Sequence, residues 1–128
     1  MKISITRYLL TLLVLTMFST ALIAQTSVRS GVTNAGYSLN TAAQAVDPGL
    51  AITSSSNITG FKVTISSGLK SSDVLSYSGT LPSGITVTAY NSSTGVITFN
   101  GSATAADWQT FLRTVTYSNS NTAQYGDR

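Results

Sequence analysis

The chain has 128 residues, seven Lys plus Arg against four Asp, a formal charge of +3, and no Glu, His or Cys. Without His or Cys it can build no Ser–His–Asp or Cys–His arrangement, no disulfide and no zinc or haem site of the usual kind. The charge is unevenly placed: Lys2 and Arg7 lie in the first 24 residues with no acid, so the other 104 carry five bases against four acids, a formal +1.

Residues 1–24 read as a secretory signal peptide. Lys2 and Arg7 form a short basic start, residues 8–18 (YLLTLLVLTMF) are mostly apolar, and residues 19–24 are small ones that a signal peptidase accepts. The apolar stretch is too short and too weakly flanked for a membrane span. Cleavage is expected after Ala24, with Ala21 as a nearby alternative. The protein is therefore expected to be secreted or held at the cell surface, meeting the membrane only during export. Lacking disulfides there, the exported part must hold together by burial, and about 100 residues suffice for one core.

Residues 25–42 are small and polar without sustained alternation, and read as a linker. From Ala43 the pattern has period two. Leu50 and Ile52, Phe61, Val63 and Ile65, Leu75 and Tyr77, Val87, Ile97 and Phe99, and Val115 and Tyr117 each alternate with polar residues, mostly Thr and Ser. Such alternation puts one face on a core and the other in water, and the branched Thr suits a pleated surface. Turn chemistry at residues 54–60, 67–68, 79–84, 91–95 and 101–102 separates the strands at roughly ten-residue intervals. That spacing predicts an all-β fold, an antiparallel β-sandwich, over residues 43–128.

One helix interrupts it, near residues 104–113. Thr104 stands three residues before Asp107, a variant of the capping box, and Ala105, Trp108, Phe111 and Leu112 follow at helical spacing. Trp108 is expected in the core, with Gln109 and Arg113 facing away. Residues 119–127 read as the loop after a strand, so the sandwich is expected to lack its last strand, as part of a longer polypeptide.

Four stretches in order, AVDPGLAIT (45–53), KVTISSGLKSSDVLSYSG (62–79), YNSSTGVITFNGSATAADWQTFLRTVTYSN (90–119) and the closing YGDR, resemble one cadherin-like or immunoglobulin-like repeat of large Bacteroidetes-type secreted and cell-surface proteins. The resemblance implies a tandem, non-enzymatic structural or adhesion repeat whose partners are neighbouring repeats, with polysaccharide or cell-surface ligands as further candidates. Such repeats often carry an acid-rich stretch after the second strand, where calcium finds carboxylates. Here that stretch is Thr53-Ser-Ser-Ser-Asn57, without an acid, while Asp47 and Asp73 are expected as turn and cap residues. Calcium needs six to eight oxygen ligands, so neither a metal nor another cofactor is expected within this unit.

Catalytic patterns are scarce. Ser67-Gly-Leu-Lys70 matches Ser-x-x-Lys, but that motif works when it opens a helix, and here Gly68 interrupts it between two strands. No catalytic residue is assigned. Five dispersed bases leave no footprint for nucleic acid. Three Asn-x-Ser/Thr triplets, at Asn57, Asn91 and Asn100, reflect the composition. An alternative role as a carbohydrate-binding accessory module of a secreted hydrolase would need exposed rings, for which Tyr37, Tyr90 and Tyr125 are the candidates; the favoured expectation puts Tyr77 and Tyr117 in the core and the other tyrosines over the ends of the sandwich.

Overall fold

A computed structural model describes residues 25–31 and 42–120. Its elements are β1 (Ser27–Arg29), β2 (Gln44–Ala45), β3 (Ala51–Thr53), β4 (Ile58–Thr64), β5 (Asp73–Tyr77), β6 (Thr86–Asn91), β7 (Val96–Ala103), α1 (Ala105–Leu112) and β8 (Val115–Asn119). Two antiparallel three-stranded sheets, β2–β8–β5 and β4–β7–β6, form an all-β sandwich, and β1 pairs with β3 in a two-stranded ribbon beside it.

The alternation read from the sequence is the one that folds. Ile52, Leu75, Ile97, Phe99 and Val115 are buried, and Leu50, Phe61, Val63, Ile65, Tyr77, Val87 and Tyr117 pack against them. Rings from both sheets and the helix meet edge-on in the middle. Phe99 on β7 lies 5.7 Å from Tyr77 on β5 and 5.0 Å from Phe111 on α1, and Phe61 on β4 lies 5.1 Å from Trp108. Edge-to-face contact suits the ring quadrupoles, adding about 0.5–1.5 kcal/mol per pair beyond the area buried.

The helix starts where its cap predicts. Thr104 accepts the Asp107 N–H at 3.2 Å, and its hydroxyl donates to the Asp107 carboxylate at 2.7 Å. A Glu at this place would reach back to the backbone of the cap; the shorter Asp holds the capping hydroxyl instead. Trp108 is wholly buried and its indole N–H donates to the Ile58 carbonyl at 2.9 Å, tying α1 to the start of β4.

Three expectations need correction. Residues 101–102 are no turn: β7 runs through them to Ala103, and the register between Ile58↔Ala103 and Gly60↔Asn100 slips by one residue. Gly101, at φ 128, makes this a bulge, and a Cβ there would lie 2.2 Å from the Gly84 carbonyl oxygen. Within the stretch read as linker, Ser27–Arg29 forms a strand, although all three residues are exposed. Main-chain pairing needs no apolar side chain, so hydropathy alone does not reveal it. Gln109 is half-buried and does not face away, while Arg113 is exposed as expected but still bonds the β3 segment. The Ile52 N–H donates to Gln109 Oε1 at 3.0 Å, and Arg113 Nε donates to the Leu50 carbonyl at 2.9 Å.

Among the described residues no helix is long and apolar enough to cross a membrane. The signal segment, residues 1–24, and the expected missing strand, past residue 120, lie outside the described residues.

Candidate functional site

The outer face of β4–β7–β6 is a largely polar surface. Pairing sets it in three cross-strand rows: Lys62–Thr98–Thr88, Gly60–Asn100–Thr86 and Thr64–Val96–Asn91. Lys62, Thr64, Thr86, Thr88, Asn91 and Asn100 are exposed. Strands about 4.8 Å apart thus present hydroxyl and amide groups in rows, with Lys62 supplying the charge.

The described acids are all engaged in holding the fold. Asp47 accepts the Gly31 N–H through both oxygens at 3.1 Å and the Gly49 N–H through Oδ1 at 3.1 Å. Asp107 serves the helix cap. Asp73, 1 % exposed, faces inward at one end of β5, opposite Asn119 on β8. Its Oδ2 accepts the Lys70 N–H at 2.7 Å, and its Oδ1 accepts the Tyr117 hydroxyl and the Asn119 amide, each at 2.5 Å. Ser72 in turn donates to Asn119 Oδ1 at 3.1 Å. These donors offset the cost of burying a carboxylate and join the β4–β5 loop to both strands. Asp47 has the turn role expected of it, whereas Asp73 goes beyond a turn: besides the Lys70 N–H it holds a buried network across β5 and β8.

Ser67 and Lys70 lie exposed in the loop from β4 to β5, outside any helix. Serine and lysine therefore do not share a helix face as the motif requires, and the Lys70 main chain is committed to Asp73.

The ring candidates fare differently. Tyr37 and Tyr125 lie outside the described residues. Tyr90 packs against the core instead of standing out from it. Between Thr88↔Thr98 and Asn91↔Val96 three steps on β6 match two on β7, so a bulge reverses the alternation and brings Tyr90 to the side of Val87. Its hydroxyl is the one buried side-chain polar atom without a partner among the described residues. Burial first, and then the Asp73 carboxylate, push this phenol above its ordinary pKa of 10.0. Sequence alternation alone could not place Tyr90, because the bulge carries no glycine to announce it.

No family model matches the chain, and no solved structure matches it. Among curated proteins one similarity is extensive. The relative is halomucin. That protein, from Haloquadratum walsbyi, is 40% identical to this chain over 102 residues, which cover 76% of the chain and 1% of halomucin. The chain thus spans about a hundredth of the curated relative it matches.

Proposed function

We propose that the protein is a non-enzymatic extracellular repeat, cadherin-like or immunoglobulin-like, of a longer exported surface protein. It serves as a spacer and adhesion module through shape and repeated weak contacts. The observation that carries this reading is the division of labour among its polar groups. The described carboxylates stabilise turns, a helix cap and a strand pair, while the exposed polar face carries hydroxyls and amides with Lys62 among them and no acid. Similarity to one stretch of a very long protein named as a mucin supports the same reading, as does a mature part in which 34 of 104 residues are Ser or Thr. Neighbouring repeats and polysaccharide are the partners proposed.

The test is retention on a polysaccharide gel under flow, with particles that carry many copies of the exported protein. Placing acids on the face, with Thr88→Glu and Thr98→Glu together, should lower retention about tenfold, while Tyr90→Phe should leave it unchanged. Tight binding by single copies, lost on Tyr90→Phe, would instead establish the sugar-binding accessory role.

A further inference from the structure

The main-chain nitrogen that follows an asparagine lies within ring-closing reach of its side-chain carbonyl carbon. Attack needs a side chain free to turn, a following residue without a Cβ in the way, and backbone not clamped by its neighbours. Four asparagines lie among the described residues, and three of them fail these conditions. Asn57 precedes the branched, half-buried Ile58. Asn91 is held in its turn, where Oδ1 accepts the Ser93 N–H at 2.9 Å and the Thr94 N–H at 3.2 Å. Asn119 is 2 % exposed, with its amide on Asp73 and its Oδ1 taken by the Ser72 hydroxyl.

Asn100 meets all of them. It is exposed on the outer face of β7, its side chain makes no hydrogen bond to a described residue, and Gly60 opposite has no side chain to hinder it. Gly101 follows at φ 128, and the bulge leaves it without an opposite residue on either flank. Ile58↔Ala103 gives way to Gly60↔Asn100 on the β4 side, and pairing with β6 begins at Thr86↔Asn100. Thr86 Oγ1 donates to the Asn100 carbonyl oxygen at 3.3 Å, where a donor stabilises the charge that gathers as the Gly101 nitrogen gives up its proton. Packing accounts for the glycine, since a Cβ would meet the Gly84 carbonyl oxygen, but nothing in the packing calls for the asparagine.

We propose that Asn100–Gly101 is a self-modifying site, at which the folded protein uses water to convert an amide of its outer face into a carboxylate. The Gly101 nitrogen loses its proton to solvent and bonds to Asn100 Cγ. The side-chain nitrogen takes up a proton and leaves as ammonia, closing a succinimide. Water then opens the ring at either carbonyl. Opening at Cγ gives aspartate in place; opening at the main-chain carbonyl routes the chain through Cγ as isoaspartate and lengthens β7 by a methylene at the bulge. Either product is the first acid on this face. Lys62 is its diagonal neighbour across β4 and β7, about 7–8 Å away, so the pair offsets the positive charge of the face as the protein ages. That consequence bears on the adhesion reading above, whereas the chemistry does not rest on it.

Chymotrypsin cuts after Tyr90 and Phe99 and so places Asn91 and Asn100 on separate peptides. The full chain is incubated in mildly alkaline buffer made with heavy-oxygen water, folded in one arm and unfolded in urea in the other, and both peptides are weighed over time. In the folded arm residues 100–108 should take up heavy oxygen, as separable aspartyl and isoaspartyl forms. The rate should stay within about tenfold of the urea arm, a barrier change of no more than about 1.4 kcal/mol. Ser92→Gly creates a second Asn-Gly pair in the Asn91 turn, and there folding should slow the conversion by more than about tenfold. Protection of Asn100 by more than about tenfold on folding would overturn the proposal. So would equal rates at Asn91 and Asn100 in the folded Ser92→Gly protein, because the dipeptide alone, and not the fold, would then set the reactivity.

Discussion

Asp73 and Tyr90 lie at the same end of the sandwich interior and illustrate opposite treatments of a buried polar group. The carboxylate is met by a backbone N–H, a phenol and an amide, whereas the Tyr90 hydroxyl is left unmet. Asp73→Ala strands these donors, and a buried donor without a partner costs about 1–3 kcal/mol. Urea denaturation of that variant should show a loss of about 3 kcal/mol or more. Tyr90→Phe removes the unmet group and should raise stability by about 1 kcal/mol, a gain of several degrees in Tm for a domain of this size. The same phenol sets an alkaline limit. Its pKa is higher folded than unfolded, so the folded state holds the proton longer, and stability contributed below pH 10 falls as pH rises past the unfolded value. Denaturation midpoints measured from pH 9 to 11 should decline for the natural protein and decline less for Tyr90→Phe.

At the scale of elements, α1 does two jobs from two faces. Trp108, Phe111 and Leu112 fill the core, and Gln109 and Arg113 complete the edge of β3. Covering a strand edge with a helix is one way to blunt an aggregation-prone surface. Trp108→Ala loses ring contacts and leaves the Ile58 carbonyl unpaired, for an expected cost of about 3–5 kcal/mol. Gln109→Ala should cost only about 1 kcal/mol, yet amide exchange should speed up at Ile52 far more than at Leu75. The inward residues of β3, β4, β5 and β8 and of the first half of β7 were legible in the sequence, because period-two alternation reports burial directly. The helix was legible too, through its cap and its apolar stripe. Features that depend on main-chain partners were not. Nothing in SVR shows that Ser27–Arg29 pairs with β3, and nothing in the polarity of Gln109 shows that it serves a strand edge. Gly101 gave a true signal of unusual backbone, but glycine marks a bulge as readily as a turn.

For the whole molecule, the candidate site was legible mainly as a set of exclusions. The missing His, Cys and Glu remove most catalytic designs, and the structure then shows where the described acids are engaged. The outward Thr residues were visible in the alternation, while their assembly into rows across three strands needed the register. The proposed role rests on a location outside the cell, and that is what most needs measuring. Lys62 and Lys70 are exposed, so a membrane-impermeant amine reagent can reach them wherever the protein is outside. Applied to intact cells and their medium, followed by peptide mass analysis, it should modify Lys62 and Lys70 without lysis. Modification of both only after the cells are broken open would contradict the extracellular reading.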